Sequence, residues 1–141
     1  SANKGLLPKP FKQVASGGEL SRLMLSIKHL LAQKRALPTL ILDEIDTGVS
    51  GEIAIKIGQM LTQMSHGHQL IAITHLPQIA AAGIAHWYVY KDHAGEKTVS
   101  SLRELKGEER VDEIAKMIGG QQGYVELKDN VRKLIQSNHA E

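Results

Sequence analysis

Apolar residues recur at steps of three and four from Gly17 to about Arg35, which is the spacing of an amphipathic helix with one buried face. They are Leu20, Leu23, Met24, Ile27, Leu30 and Leu31. Pro38 ends this pattern, and residues 39–43 form a short apolar run that closes on an acid. Such a run is typical of a strand buried on both faces in a parallel sheet.

The alternation of helix and strand continues to the end of the chain. A second helix is predicted after Ser50, its candidate N-cap, and is ended by the His-Gly-His turn at 66–68. The later elements are expected as strand 69–74, helix 77–82, strands 84–91 and 97–104 with a turn at 92–96, and helices 108–118 and 125–136. This order predicts one α/β domain with a mostly parallel sheet flanked by helices. The domain is expected to span residues 1–141, with a lead-in segment at 1–14 and a C-terminal helix and tail at 125–141.

Composition narrows the class of protein only modestly. The 141 residues carry a formal net charge of +2, which is too balanced to argue for nucleic-acid binding by itself. The chain has no cysteine, which excludes disulfides and thiolate metal sites and fits a reducing compartment. No apolar run approaches the roughly 18 residues that a membrane span needs, so the expected location is the cytoplasm, away from membranes.

The first stretch with candidate chemistry is Ser16-Gly17-Gly18-Glu19, at the start of the first predicted helix. Ser-x-x-Glu before an apolar run is a capping box, in which Ser16 and Glu19 satisfy each other's backbone N–H groups. A capping box does not explain two glycines in the first turn, where each lets another group approach the backbone closely. A helix start with bare N–H groups attracts phosphate. Helix cap and phosphate site therefore both stand as interpretations.

The second candidate is Asp43-Glu44, directly after the first apolar strand. In parallel sheets ligands bind beyond the carboxyl ends of the strands, and Mg²⁺ takes one or two carboxylates there together with phosphates and water. Asp43 fits that role, and Glu44 could accept a proton from an attacking water. His75 follows the second strand and could contact a phosphate or orient Glu44. The alternative interpretation is a pair of solvated acids and a structural histidine.

A zinc site is a rival interpretation of the histidines. His66, His68 and His75 with Asp43 or Glu44 form a legitimate ligand set. However, His66 and His68 precede the second strand and His75 follows it. A strand of that length places them roughly 20 Å apart, which argues against a shared metal ion.

In order along the chain, these segments resemble the carboxyl-terminal lobe of a P-loop ATPase head of the ABC type. Residues 15–20 resemble its signature motif, 40–44 its Walker B strand and 46–48 its D-loop, and His75 resembles its switch histidine. Longer stretches at 14–22, 43–51, 74–80 and 109–115 are similar to the RecN family of bacterial SMC-like DNA repair proteins. The resemblance runs over nearly the whole chain.

The resemblance implies an ATPase that uses ATP and Mg²⁺. Asp43 would hold Mg²⁺, Glu44 would be the general base and His75 would sense the γ-phosphate of the ATP held by the same head. Ser16, Gly17, Gly18 and Glu19 would meet the ATP of a second head in an ATP-dependent homodimer, and the Asp46 loop would cross the interface. DNA would be met through the full-length protein, which is expected to be cytoplasmic and nucleoid-associated.

One expected motif is missing from the sequence. The phosphate loop G-x-x-x-x-G-K-[ST], which belongs to the amino-terminal Walker A lobe of such heads, does not occur in the 141 residues. Truncation would explain this, and the chain alone is then expected to bind ATP and Mg²⁺ weakly and to be inactive. Two alternatives remain: a non-catalytic dimerisation module, and a head lobe of another SMC-type chromosome ATPase.

Overall fold

The computed structural model describes residue 10 and residues 17–35, 37–43, 45–92 and 98–139. Its first half comprises helix α1 (Gly17–Arg35), strand β1 (Thr39–Leu42), helix α2 (Gly51–Ser65), strand β2 (Gln69–Ala72) and helix α3 (Pro77–Ala82). Strands β3 (His86–Asp92) and β4 (Val99–Leu105), helix α4 (Glu108–Gly123), a 3-10 turn (Val125–Leu127) and helix α5 (Lys128–Asn138) complete it. The order of helices and strands agrees with the order predicted from the sequence.

Strands β1 and β2 form a parallel pair, and α2 is the crossover between them. Thr39 pairs with Gln69 and Leu42 with Ala72. The backbone N–H of Ile73 donates to the Leu42 carbonyl at 2.9 Å, which extends the pairing by one residue. Parallel strands need such a crossover because the end of the first strand and the start of the second lie at opposite edges of the sheet. The pairing therefore brings the residues that follow β1 and β2 to one common edge.

The first strand is buried on one face only, so the prediction of a strand covered on both faces is wrong for this structure. Leu40 and Leu42 lie in the core with Ile57 and Leu61 of α2, whereas Ile41 is 62% exposed. The predicted second buried strand differs more, because Ile71 and Ile73 are exposed as well. The cause is that α2 covers one face of the pair, and no described element covers the other.

Helix α1 has the predicted bounds but buries a different face. Leu25, which is outside the predicted stripe, is 2% exposed and joins the core. The predicted apolar stripe is exposed instead: Leu20, Leu23, Met24, Ile27, Leu30 and Leu31. The periodicity identified the helix correctly, but the expectation that this stripe is buried within the chain is wrong.

A second core joins α3, α4 and α5. It is built on Ala81, Val111, Ile114, Ala115 and Val131. The Arg110 guanidinium donates to the carbonyls of Ala81 and Gly83, which satisfies groups that the end of a short helix leaves without partners.

Helix α4 contains a break at Gly120, whose φ of 68° is left-handed, and this is where the sequence predicted that the helix would end.

Strands β3 and β4 form a separate antiparallel pair, with His86 opposite Leu105 and Asp92 opposite Val99. Their predicted ranges are confirmed to within two residues, and the predicted turn lies mostly outside the described residues. Within the part of the chain that the structure describes, no helix has both the length and the apolar character to cross a bilayer.

The one-sided burial of β1 predicts opposite outcomes for neighbouring substitutions. Leu42→Ala removes a side chain that is 0% exposed and should lower the unfolding free energy of the chain by about 2–5 kcal/mol. Ile41→Ala, at the next position on the open face, should cost less than about 1 kcal/mol. Urea unfolding of the two variants measures the difference, and equal losses would contradict the one-sided core.

Candidate functional site

The common edge beyond β1 and β2 holds an open cavity of about 320 Å³. Its lining residues are Asp43, Asp46, Thr47, Ile73, Thr74 and His75. They come from the loop after β1 and the loop after β2, which the parallel pairing holds side by side. The structure therefore brings together Asp43 and His75, which the sequence placed at the ends of two different strands, and adds Asp46 to them.

Asp43 is the first residue after β1, and its side chain is exposed at the rim of this cavity. An exposed carboxylate such as that of Asp43 could give Mg²⁺ one ligand, and the ion would take its other ligands from phosphates and water. Within the described residues no group of three or more acidic, histidine or cysteine side chains could hold a metal ion alone. Glu44, the predicted general base, lies outside the described residues.

Asp46 is buried, with 3% of its surface exposed, and its carboxylate is bound within its own chain. The Thr74 hydroxyl donates to Asp46 Oδ2 at 2.6 Å, and the backbone N–H of His75 donates to the same oxygen at 2.8 Å. His75 Nδ1 lies 3.0 Å from that oxygen. Burial raises the pKa of the Asp46 carboxyl, but the hydrogen bonds from Thr74 and His75 together outweigh it and lower the pKa. Asp46 is therefore held as a carboxylate against the loop that carries His75.

The start of α1 packs against the loop after β1. A Cβ atom at Gly18 would lie 3.0 Å from the Thr47 carbonyl oxygen and 3.1 Å from that of Gly48. Gly48 has a φ of 67° and in turn approaches the Gly18 backbone. The glycine therefore permits a close backbone approach, as its position suggested, and the group that approaches is this loop.

The other residues of the predicted phosphate stretch are only partly described. Ser16 lies outside the described residues, so its roles as cap and as phosphate contact stay predictions. Gly17 begins α1, and Glu19 is exposed in its first turn. Placing the helix start against the Asp46 loop makes the two predicted motifs neighbours.

The tight contact at Gly18 predicts a cost for added bulk. Gly18→Ala would force its new methyl group against backbone carbonyls, and we expect a loss of about 1–3 kcal/mol of unfolding free energy from overpacking. Gly123→Ala is the matched control, because nothing lies within 4 Å of its Cβ position in α4. The control should be neutral or slightly stabilising. Urea unfolding of both variants measures this, and a Gly18→Ala variant as stable as the control would contradict the contact.

The other two histidines of the zinc interpretation, His66 and His68, do not join this edge. His66 follows α2, and His68 Nδ1 lies 2.6 Å from the Leu37 carbonyl oxygen, at the start of β2 rather than at its end. The structure thus separates His66 and His68 from His75, as the strand length predicted, and the zinc interpretation has no support in the described residues.

Sequence reasoning assigned no role to Thr74, which the structure places at the centre of the edge. Its hydroxyl donates to Asp46 and accepts from the backbone N–H of Leu76 at 3.0 Å. A threonine directly before a histidine at a strand end is a weak signal, because threonine is common in strands. The contact between Gly18 and the Thr47–Gly48 backbone was likewise not predicted.

Comparisons with known proteins identify the relatives of this chain. It is 41% identical over 135 residues to the DNA repair protein RecN of Halalkalibacterium halodurans, covering 96% of the chain and 24% of that protein. It is 41% identical over 133 residues to RecN of Bacillus subtilis, covering 94% of the chain and 22% of that protein. RecN of Treponema pallidum is 45% identical over 120 residues, which are 85% of the chain and 21% of that protein. The chain thus spans about a quarter of the length of these curated relatives.

A solved structure from work on the ATP-driven dimerisation and DNA-stimulated activation of SMC ATPases has a similar fold. The TM-score is 0.62 at 22% identity, over 84% of this chain and 70% of that one. A comparison with models of known protein families gave no match. The likeness confirms the predicted α/β ATPase-head fold. Over nearly all of its own length, the chain is similar to a stretch that makes up about a quarter of these RecN proteins.

Proposed function

We propose that this chain is the carboxyl-terminal lobe of the ATP-hydrolysing head of a RecN-like protein that acts in DNA double-strand break repair and recombination. The observation that carries the proposal is the edge beyond β1 and β2, where Asp43, Asp46 and His75 line one cavity. The relatives' name, DNA repair protein RecN, supports the DNA-repair context. DNA would be bound by the full-length protein, in the bacterial cytoplasm and at the nucleoid.

The edge residues divide the work on an ATP held by the same head. Asp43 would hold Mg²⁺, which neutralises charge on the phosphates when bound. Glu44 would take a proton from the attacking water. His75 would donate a hydrogen bond to the γ-phosphate, where negative charge develops. Support for this division is the exposure of Asp43 and His75 at the cavity, in contrast to buried Asp46.

The start of α1 would serve the ATP of a second head. Ser16 with Gly17 and Gly18 would present backbone N–H groups and a hydroxyl to that γ-phosphate, as helix starts do for anions. The contact of Gly18 with the Thr47 and Gly48 carbonyls supports treating the helix start and the Asp46 loop as one unit. Thr47 and Gly48 are exposed and are the part of that loop available to a second head. The two active sites of a homodimer would then each combine residues of both heads.

A Walker A lobe would cover the apolar surface that the chain leaves open. We call the exposed stripe of α1, defined by Leu20, Leu23, Met24, Ile27, Leu30 and Leu31, the α1 stripe. Ile41, Ile71 and Ile73 expose a second set of branched side chains on the open face of the parallel pair. Apolar surface on this scale is typical of an interface. A lobe that supplies the phosphate loop would bury it and bring phosphates to Asp43.

Reconstitution tests the proposed function. The chain, a separately produced RecN Walker A lobe and their mixture are assayed for ATP turnover in the presence of Mg²⁺. We expect turnover in the mixture and none from either lobe alone. Hydrolysis by the chain alone would contradict the proposal, as would an inactive mixture in which calorimetry shows that the lobes have bound each other and ATP.

A further inference from the structure

The Asp46 carboxylate makes several polar contacts within its own chain, which a role in a dimer interface alone would not explain. A single oxygen, Oδ2, receives the Thr74 hydroxyl at 2.6 Å and the His75 backbone N–H at 2.8 Å, and lies 3.0 Å from His75 Nδ1. Two of these contacts involve one residue, His75, through its backbone and its ring. The first contact holds the backbone of His75 in place, and the second orients its imidazole ring.

We propose that Asp46 is a positioning residue for His75: its carboxylate accepts a hydrogen bond from the proton on Nδ1 and so turns Nε2 toward the incoming ligand, to which Nε2 donates when the ring carries its second proton. The part of the proposal that names the γ-phosphate as this ligand rests on the proposed function. The part that concerns the ring stands on the contacts alone. Asp46 does not touch the reacting atoms in this proposal and acts through His75.

Asp46 and His75 differ in solvent exposure, and this difference indicates which of the two residues orients the other. The Asp46 side chain is 4% exposed and the His75 side chain 73%. A buried, hydrogen-bonded carboxylate has few alternative positions, whereas an exposed imidazole is free to change rotamer and tautomer. The fixed member therefore orients the mobile one, as carboxylates do for histidines that bind metals or take part in catalysis.

Thr74 completes the arrangement from the second strand. Its hydroxyl accepts from the Leu76 N–H while donating to Asp46, which shapes the turn between β2 and α3. The loop after β1 and the loop after β2 are thus joined at a single oxygen atom. A movement of the Asp46 loop would be transmitted to the His75 ring.

The tautomer of His75 tests the positioning role without ATP. The chain is labelled with ¹⁵N and its long-range imidazole spectrum is recorded at about pH 8, above the range in which histidines ordinarily titrate. The signals of the seven histidines are assigned by their loss in single His→Gln variants. We expect Nδ1 of His75 to carry the proton in the unaltered chain. A His75 that carries it mainly on Nε2 would overturn the proposal with no variant needed.

Variants then separate positioning from a general structural role. Asp46→Ala should move the His75 proton to Nε2, whereas Asp46→Asn, which keeps a carbonyl oxygen as acceptor, should retain it on Nδ1. Thr74→Val removes a different donor from the same oxygen and should leave the tautomer unchanged. If Asp46→Ala folds and its His75 tautomer is also unchanged, Asp46 supports only the backbone and the proposal is wrong.

Turnover of the chain joined to a Walker A lobe provides the second readout. Asp46→Ala should lower kcat by about 10- to 100-fold with KM for ATP little changed, which is the range found when a metal-binding histidine loses its hydrogen-bond partner. His75→Gln combined with Asp46→Ala should be no worse than His75→Gln alone, because Asp46 acts through His75. An additive double variant overturns the positioning role. If the joined heads show the expected tautomer shift and yet no ATP hydrolysis in any variant, that result would contradict the proposed function but would still support the positioning role.

Discussion

Glu44→Gln, in a head that joins this chain to its Walker A lobe, is expected to lower ATP turnover by about 10²–10⁴-fold while ATP still binds. The physical reason is that glutamine keeps the size and one acceptor oxygen of glutamate but cannot take a proton from water. Steady-state turnover and ATP titration of the same preparation measure the two effects. Loss of hydrolysis with retained binding is the signature of a missing base.

Glu52→Gln is the matched control for this prediction. Glu52 is an exposed acid in the first turn of α2, paired with Lys56 at 2.8 Å, and it lines no part of the cavity. Its replacement should leave turnover within about twofold, because exposed ion pairs contribute little. Undiminished hydrolysis in Glu44→Gln would remove the base assignment, and an equal loss in both variants would point to a general defect.

Leu23→Asp is expected to weaken association with the Walker A lobe by at least about 100-fold. Leu23 is 42% exposed in the α1 stripe, so a carboxylate is tolerated there in the separate chain, at a cost of less than about 1 kcal/mol. In the joined head the same carboxylate would have to leave water without a partner, which costs several kcal/mol. Calorimetric titration of one lobe into the other measures the association, and urea unfolding measures the stability of the chain alone.

Val125→Asp makes the same chemical change outside the proposed interface. Val125 is 62% exposed in the 3-10 turn before α5, which packs against α4 and α5. It should bind the Walker A lobe as tightly as the unaltered chain. Equal affinities for Leu23→Asp, Val125→Asp and the unaltered chain would show that the α1 stripe is not the surface that the other lobe covers.

The order of the elements could be predicted from local patterns, because spacing and turn residues act over a few neighbours. Pro77 indicated the start of α3, and the periodicity of α1 together with Pro38 indicated the extent of that helix. The side that α1 buries could not be predicted in this way. A hydrophobic stripe shows that a surface avoids water, but it does not show which molecule covers it. Leu25 is buried within the chain, and the stripe beside it is open.

The candidate site likewise has one part that could be predicted from the sequence and one part that could not. Asp43 and His75 could be placed at one edge because parallel strands end together, and the structure confirms their proximity around one cavity. The role of Thr74 and the contacts of Asp46 within its own chain depend on how the two loops pack against each other. The spacing of residues along the chain does not reveal that packing. That Asp46 is buried by these contacts, and not simply exposed at a loop tip, emerged only from the three-dimensional structure.

Mixed dimers test most directly the claim that each ATP site combines residues of two heads. Joined heads carrying Glu44→Gln are mixed with joined heads carrying Ser16→Arg, and crosslinking verifies that the two variants meet in one dimer. Each variant alone has a defect in both of its sites, whereas a mixed dimer has both defects in one site and none in the other. Random pairing should therefore restore turnover to about a quarter of that of the unaltered head. Turnover that stays at the level of the separate variants, with mixed dimers present, would contradict the account.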